Sequence, residues 1–181
     1  MAEPEQLPVP QARAGEPAAW DTLFRRYQLP LYVYAFELVH DEQASRDIVQ
    51  ETFLNATRHL GGLRDDAKFG SWLFGIAHQK CLQHWRKQGR EAAALEEVAA
   101  EPAVFEDDPA ELLIRAEQEG AVMKLLDRLP AAQRSVLLLH CVEDFALEDI
   151  AAVTGAALGT VKSRLHYAKR ALRKLIEEEA L

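Results

Sequence analysis

The chain of 181 residues is 49% hydrophobic, which suits one domain or two small domains with packed cores. No apolar run approaches the roughly 20 residues that a membrane-spanning helix needs, and the first 15 residues lack the apolar stretch of a signal peptide, so we expect no direct membrane insertion. The net charge of −8 taken alone would argue against a nucleic-acid partner, but the charge is unevenly distributed. Residues 91–119 carry ten acids and one base, a net charge of −9. The rest of the chain therefore has a net charge of −8 − (−9) = +1.

The N-terminal part of the chain divides at Pro17. Residues 1–16 are polar and contain three prolines, which predicts a flexible tail. From Pro17 an apolar helical pattern runs to Tyr27 and restarts after Pro30. Because proline has no N–H donor, Pro30 is predicted to kink this helix or to open a second one.

Two further helices are predicted before residue 90. The first begins at residues 41–45 and ends at Gly61-Gly62. Its outward side carries Asp47, Gln50 and Glu51. A loop of residues 63–66 follows, and the second helix covers residues 67–88 with Asp66 as its N-cap.

An acidic linker is predicted between two helical parts. Residues 91–109 are acidic and show no clear core face, and Pro109 opens a helix that runs to Arg128. Three more helices follow, over residues 131–142, residues 147–153 and from residue 157 onward. No stretch shows strand-like alternation, so the sequence predicts an all-α fold in two small helical domains, residues 17–90 and 110–181.

The last helix has one apolar face and one basic face. Five residues share the apolar face: Val161, Leu165, Ala168, Leu172 and Leu175. Six basic residues and no acid lie between Thr160 and Lys174. With the short helix before it and the turn around Gly155, it forms a helix-turn-helix pattern, whose second helix enters the major groove of DNA. A merely solvated basic face is the alternative.

Two sets of motifs resemble one known family. Leu129-Pro130-x-x-Gln133-Arg134, Glu148-x-Ile150-Ala151 and Gly159-Thr160-Val161-Lys162-Ser163-Arg164-Leu165 look like region 4 of sigma-70 family factors. Asp47-Ile48-Val49-Gln50-Glu51-Thr52-Phe53 is similar to region 2.2, and Phe69-x-x-Trp72-Leu73-x-x-Ile76-Ala77 is similar to region 2.3. The domain that other members carry between regions 2 and 4 is missing, which points to the extracytoplasmic-function (ECF) group.

The resemblance implies a chain that binds core RNA polymerase and brings it to a promoter, without catalysis, cofactor or small-molecule substrate of its own. It makes residues 17–90 sigma region 2 and residues 110–181 sigma region 4, which meets the β flap. Asp47, Gln50 and Glu51 match positions that meet the clamp helices of the polymerase β′ subunit. Their acid–amide–acid pattern suits charge-assisted bonds to arginines, although a solvated face would have the same composition.

The resemblance assigns binding and opening of the −10 promoter element to residues 63–86. Leu63 and Arg64 match a loop that captures a flipped base, Gln79 matches a base-contacting position, and Arg86 shares the helix face of Gln79. Leu63 stands where an aromatic residue is frequent, and Gly75 stands where a basic residue is common. These two departures leave the base preference open.

The resemblance assigns the −35 promoter element to the last helix. Three residues match base-reading positions: Lys162, Ser163 and His166. Four others are predicted to contact phosphates: Thr160, Arg164, Lys169 and Arg170. Arg164 lies nearer the apolar face, so an alternative role is to anchor the fold. Ala146 and Ala157 stand where residues that cap the two helices are usual.

The pattern His78-x-x-Cys81-x-x-His84 invites a zinc hypothesis. On one helix His78 and His84 diverge by about 120°, so three ligands would converge poorly on a tetrahedral ion, and we predict no metal site. Whether these residues sense metal or redox state stays open. Cys81 and Cys141 lie far apart in the sequence, which indicates reduced thiols in the cytoplasm.

Two other functions are alternatives to that of a sigma factor. A stand-alone helix-turn-helix regulator would leave Asp47, Gln50 and Glu51 without a role, and a sigma-like mimic that binds an anti-sigma factor would not need the basic helix. The resemblance also implies control by an anti-sigma factor. The expected location is the cytoplasm, at the nucleoid when active and at the inner membrane face when an anti-sigma factor holds the chain. The acidic linker could lie in a polymerase channel or fold back on the basic helices.

Overall fold

The computed structural model describes residues 6–89 and 122–179, and within these ranges the chain is helical and has no strand. The eight α-helices of these ranges are α1 Val9–Arg13, α2 Pro17–Val39, α3 Glu42–His59, α4 Phe69–Lys87, α5 Val122–Asp127, α6 Ala131–Cys141, α7 Leu147–Thr154 and α8 Leu158–Glu179. Short 3-10 helices cover Leu60–Gly62 and Asp66–Lys68. The all-α prediction is confirmed, while the predicted linker and the start of the helix at Pro109 lie outside the described residues.

The N-terminal segment differs from the predicted flexible tail. Residues 9–13 form α1, in which Val9 and Ala12 are buried. Nε1 of Trp20 donates to the carbonyl oxygen of Ala12 at 2.9 Å, which ties α1 to α2. A single helical turn with two apolar residues is too short for a periodic pattern to reveal, so only the packing identifies it.

The second helix continues through Pro30, so of the two predicted alternatives, a kink or a new helix, the new helix is wrong. A proline inside a helix removes one backbone hydrogen bond and costs about 3 kcal/mol. Buried residues on both sides, Leu23 and Leu31 among them, hold α2 against α3 and α4 and offset this loss. The helix ends at Val39, and the next residue, His40, has a left-handed backbone with φ 53°.

The third helix begins as predicted, and the fourth begins differently. Oδ1 of Asp41 accepts a hydrogen bond from the backbone N–H of Ala44 at 2.7 Å, so Asp41 caps α3. Ahead of α4 the cap is Asp65, which accepts from the N–H of Ala67 at 3.0 Å and starts a 3-10 turn. The predicted cap, Asp66, is instead bound to another part of the chain.

The second half contains the predicted helix-turn-helix. The apolar face of α8 is buried against α6 and α7. Gly155 ends α7 with φ 69°, a left-handed conformation that glycine adopts without strain. The two helices and their turn therefore match the sequence prediction.

The two halves pack directly against each other, α2 on α6 and α4 on α7. Phe145, in the loop between α6 and α7, meets the ring of Phe74 edge to face at 5.4 Å. Gly70 makes this approach possible, because a Cβ there would lie 3.4 Å from the Phe145 ring and 2.9 Å from the Tyr27 hydroxyl. The described halves thus share a buried contact that the sequence pattern did not reveal.

Candidate nucleic-acid interface

The outer face of α3 presents the acid–amide–acid group to solvent. Asp47, Gln50 and Glu51 are all exposed on this face. Nε2 of Gln43 donates to Oδ1 of Asp47 at 2.9 Å, and Nζ of Lys80 pairs with Oε2 of Glu51 at 2.9 Å. Exposed polar contacts of this kind contribute little to stability, so the carboxylates can exchange them for cationic groups of a partner.

An apolar groove lies beside this group and was missed at the sequence level. It encloses about 520 Å³ between α2 and α3, with Gln50 at its rim. Phe24 and Leu54 line it and are 40% and 49% exposed, and the rings of Phe24 and Phe53 lie 4.9 Å apart. The spacing of Leu54, four positions after Gln50, is the sequence signal that places it on the same exposed face.

The loop of residues 63–66 joins the 3-10 turn after α3 to the start of α4. Leu63 is half-buried against the core, and Arg64 is exposed. Nη2 of Arg13 donates to the carbonyl oxygen of Leu63 at 3.2 Å, and the same guanidinium forms an ion pair with Asp66. Of the two predicted −10 residues in the loop, only Arg64 extends freely towards solvent.

The predicted −10 face of α4 lies at the junction of the two halves. Gln79 and Arg86 are exposed on α4. A Cβ on Gly75 would lie 3.9 Å from Cα of Val153, so the backbone of α7 crosses α4 at this point. A cleft of about 510 Å³ extends from the crossing and is lined by Leu63, Trp72, Gln79 and Asp149 among others.

Five of the seven predicted −35 residues lie at least partly open on α8. Lys162 and Arg170 are exposed, and Thr160, His166 and Lys169 are half-buried.

Ser163 and Arg164 are buried, at 3% and 8% exposure. Oγ of Ser163 donates to the carbonyl oxygens of Gly159 at 3.0 Å and Thr160 at 3.2 Å. Ser163 is therefore buried, which differs from its predicted outward position, and its hydroxyl is satisfied by the preceding helical turn. The burial of Arg164 agrees with its position nearer the apolar face.

A cavity of about 280 Å³ lies at the junction of the two halves. Arg86 of α4 and Thr160 and Arg164 of α8 are among the residues that line it. Members of both predicted DNA-binding sets thus line one cavity.

Tyr34 links the two halves in the buried interior. Its hydroxyl lies 2.8 Å from Nδ1 of His78 and 2.7 Å from Oγ of Ser135, which belongs to α6. Burial and the positive charge of Arg164 together lower the pKa of His78 to about 4, with burial the larger cause. The imidazole is therefore neutral at neutral pH. It can accept a hydrogen bond from the Tyr34 hydroxyl, while the Ser135 hydroxyl donates to the Tyr34 oxygen.

Arg134, a residue of the region 4 motif, forms a second link. Its guanidinium donates to the carbonyl oxygens of Glu37 and Leu129 and lies 2.7 Å from Nε2 of His40. Burial and, to a smaller extent, the charge of Asp127 raise the pKa of the Glu37 carboxyl, Arg134 opposes them, and the net value is about 6. One arginine thus holds the end of α2 to the start of α6.

The three residues of the possible zinc pattern have separate surroundings. His78 is bonded to Tyr34, and His84 lines a cleft between α3 and α4. Burial raises the pKa of the Cys81 thiol to about 12, which keeps it protonated and unreactive. In the ranges that the structure describes, no three His, Cys, Asp or Glu side chains are placed to hold a metal ion. Every helix in these ranges is too short or too polar to span a bilayer.

The fold and these surfaces define a class of protein: an all-α, two-part DNA-binding protein with a helix-turn-helix in its second part. Residues 23–91 match the family model "Sigma-70 region 2", and residues 119–172 match "Sigma-70, region 4".

Relatives extend the likeness over nearly the whole chain. The RNA polymerase sigma-H factor of Pseudomonas aeruginosa is 32% identical and covers 97% of this chain and 95% of its own length. The ECF RNA polymerase sigma factor SigM of Mycobacterium tuberculosis is 32% identical over 90% of this chain and 80% of its own. The chain therefore belongs to the ECF group of the sigma-70 family of transcription initiation factors.

Solved structures agree with this membership. CnrH in complex with the cytosolic domain of CnrY superimposes with a TM-score of 0.66 at 25% identity, over 96% of this chain and 97% of that one. The sigma factor RpoE of Bartonella quintana, in complex with the anti-sigma factor NepR, gives a TM-score of 0.61 at 27% identity, over 86% of this chain and 97% of that one.

Proposed function

We propose that this ECF sigma factor binds core RNA polymerase through α3 and positions it on promoters through α4 and α8. The observation that carries the proposal is the occurrence, in one chain of this family, of an exposed acidic face on α3 and an exposed basic face on a helix-turn-helix. A protein that bound only polymerase or only DNA would need just one of these two faces.

The polymerase-binding surface is proposed to combine charge with apolar area. Asp47, Gln50 and Glu51 would meet the β′ clamp helices, because exposed carboxylates and an amide pair well with arginines. Phe24 and Leu54, exposed in the adjacent groove, would add the buried apolar contact that such an interface needs. Region 4 would meet the β flap.

The −10 element would be held by the loop of residues 63–66 and by α4. Arg64 is free to pair with a phosphate, while Leu63 offers an apolar surface next to a displaced base. Gln79 can donate to and accept from a base edge, and Arg86 extends the same track. Opening a duplex in this way replaces base stacking by contacts to the protein.

The −35 element would be read from α8. Lys162 is exposed near the start of the helix and can donate to guanine O6 and N7, and His166 can donate or accept at a base edge. Ser163 would join them only after its hydroxyl leaves the helix backbone. Thr160, Arg164, Lys169 and Arg170 would hold phosphates, which position the helix without reading sequence.

Control by an anti-sigma factor is proposed from the relatives. The RpoE structure contains the anti-sigma factor NepR, and CnrH is bound to the cytosolic domain of CnrY. A similar partner would keep this chain from the polymerase in the cytoplasm or at the inner membrane face.

Transcription by core polymerase with the purified full-length chain, from a library of promoters, tests the proposal. We expect promoter-specific run-off products, and Lys162→Ala should relax selectivity at one position of the −35 element. Lys174→Ala removes an exposed lysine further along α8 and serves as the matched control. Unchanged selectivity of Lys162→Ala would overturn its base-reading role.

The same experiment separates the two alternatives. A stand-alone regulator would bind duplex promoter DNA tightly without polymerase. A mimic would bind an anti-sigma factor but give no transcript with core polymerase. Absence of any specific transcript from the wild-type chain would therefore refute the sigma-factor mechanism itself.

A further inference from the structure

The loop of residues 63–66 is tied to the N-terminal helix by one side chain. Nη2 of Arg13 donates to the carbonyl oxygen of Leu63 at 3.2 Å, and Nη1 lies 3.4 Å from Oδ2 of Asp66. The second guanidinium nitrogen also contacts Oδ1 of Asp66. One arginine therefore holds both ends of the loop.

Arg13 extends from a backbone that is itself fixed. Val9 and Ala12 are 1% and 2% exposed, so α1 is anchored in the core. The indole of Trp20 donates to the carbonyl of Ala12, one residue before Arg13. Gly15, with φ 86°, lets the chain turn sharply between α1 and α2.

The other hydrogen bonds of the loop are local. The N–H of Leu63 donates to the carbonyl of Leu60 at 3.1 Å, and Asp65 caps the following turn through the N–H of Ala67. In the part of the chain that the structure describes, the hydrogen bonds from Arg13 are the ones that join this loop to a distant element. Their partners, Leu63 and Asp66, follow Arg13 by 50 and 53 residues.

We propose that Arg13 is a positioning residue for capture of the −10 element. It would hold the loop of residues 63–66 in the shape that receives a displaced base, so that the loop loses little freedom when the strand binds. The inference rests on the proposed function, because it takes this loop as the −10 site. It adds α1, which lies outside the residues of the region 2 model, to the promoter-opening machinery.

The test uses holoenzyme assembled from core polymerase and full-length chain. Its affinity for a fluorescent single-stranded oligonucleotide that carries the non-template −10 sequence is measured by anisotropy. We expect Arg13→Gln to weaken this binding about tenfold, with unchanged affinity for core polymerase and for a −35 duplex. Arg128→Gln, which breaks the exposed Arg128–Glu178 ion pair in the second half, is the matched control and should bind like wild type.

The rival explanation is that Arg13 contacts a phosphate directly. Two measurements separate this explanation from positioning of the loop. Loss of a phosphate contact to this single strand would lower the slope of log affinity against log salt by about 0.7, whereas loss of positioning leaves the slope unchanged. Asp66→Asn should weaken binding if Arg13 positions the loop. It should leave binding unchanged or tighten it if Asp66 merely holds Arg13 away from DNA.

The double variant Arg13→Gln, Asp66→Asn completes the test. Because both residues act through one contact, it should bind no more weakly than the worse single variant. Wild-type affinity in Arg13→Gln, a changed salt slope, or tighter binding by Asp66→Asn would each overturn the proposal. If the wild-type holoenzyme failed to bind the −10 strand at all, the proposed function would fail instead. Thermal unfolding of each variant verifies that it is folded.

Discussion

At the residue scale, His78 shows how the junction of the two halves depends on protonation. The ring is 2% exposed and bonded to Tyr34, and its pKa is lowered to about 4 by burial and by Arg164. In the unfolded chain a histidine titrates near 6.5. Between about pH 4 and 6.5 the unfolded state therefore binds the extra proton, and the free energy of unfolding falls as the solution is acidified.

Glu37 acts in the opposite direction over part of this window. Its folded pKa of about 6 lies above the ordinary value of 4.5, so the folded state binds the extra proton between these pH values. Glu37 alone would make the protein less stable as the pH rises from 4.5 to 6. A single stability curve would mix the two effects, and only a comparison with a His78 variant isolates the histidine.

We predict that His78→Gln removes the histidine contribution, because glutamine can still accept from the Tyr34 hydroxyl but does not titrate. Wild type should lose stability relative to this variant by on the order of 3 kcal/mol between pH 6.5 and 4. Urea unfolding of both chains at a series of pH values measures the difference, with the exposed His59→Gln as control. A pH-independent difference would contradict a neutral His78 in the folded protein.

At the element scale, α7 begins without a side-chain cap. Ala146 has the extended backbone of an N-cap, with φ −60° and ψ 151°, but no oxygen to accept from the first turn of the helix. We predict that Ala146→Thr stabilises the protein by about 0.5–1 kcal/mol, because threonine can supply that acceptor. Ala146→Val, of similar shape, should give no such gain. Denaturant unfolding of the two variants measures the difference, and equal stabilities would argue against an uncapped helix.

The elements that the sequence predicts well are those whose residues act locally. Asp41 caps α3 three residues ahead, and the turn at Gly155 needs only its own backbone, so both could be predicted without a partner. The new helix at Pro30 and the capping role of Asp66 are wrong predictions because distant packing decides both outcomes. Core contacts on both sides carry α2 through Pro30, and Arg13 draws Asp66 away from the cap of α4.

The same distinction between local and distant causes applies to the residues of the candidate site. The outward positions of Asp47, Gln50, Glu51 and Lys162 follow from helical periodicity, and the structure has all four exposed. The burial of Ser163 does not follow from periodicity, because the helical pattern places this residue opposite the apolar face. Nor does any pattern along the chain reveal that α7 would cross α4 at Gly75.

At the scale of the whole molecule, the packing of the two halves bears on the proposal that α4 and α8 hold the −10 and −35 elements at the same time. The −10 and −35 elements lie about 25 base pairs apart, roughly 85 Å at 3.4 Å per pair. The described halves touch through Tyr34 and Ser135. If α4 and α8 hold these elements as proposed, the chain must open before both can be reached. In the closed arrangement Arg86, Thr160 and Arg164 line a shared cavity.

Gly75 offers a way to open the junction from inside. A Cβ there would sit 3.9 Å from Cα of Val153, so alanine fits but a larger side chain would meet the backbone of α7. We predict that Gly75→Leu separates the halves, which increases the radius of gyration of the free chain in small-angle X-ray scattering. Gly75→Ala should stay closed and gain up to about 1 kcal/mol of stability, because alanine is the better helix former.

The same pair of variants links this closed arrangement to DNA binding. If closure withholds Thr160 and Arg164 from DNA, the free Gly75→Leu chain should bind a −35 duplex more tightly than Gly75→Ala or wild type. The difference should vanish once core polymerase is bound, because the wild-type halves are then already apart. The −35 duplex is the suitable probe, since residue 75 lies on α4 and does not belong to the α8 surface. If Gly75→Leu increases the radius of gyration but leaves the affinity for the −35 duplex unchanged, closure does not limit DNA binding. If the radius of gyration is also unchanged, α7 can shift to accept the leucine.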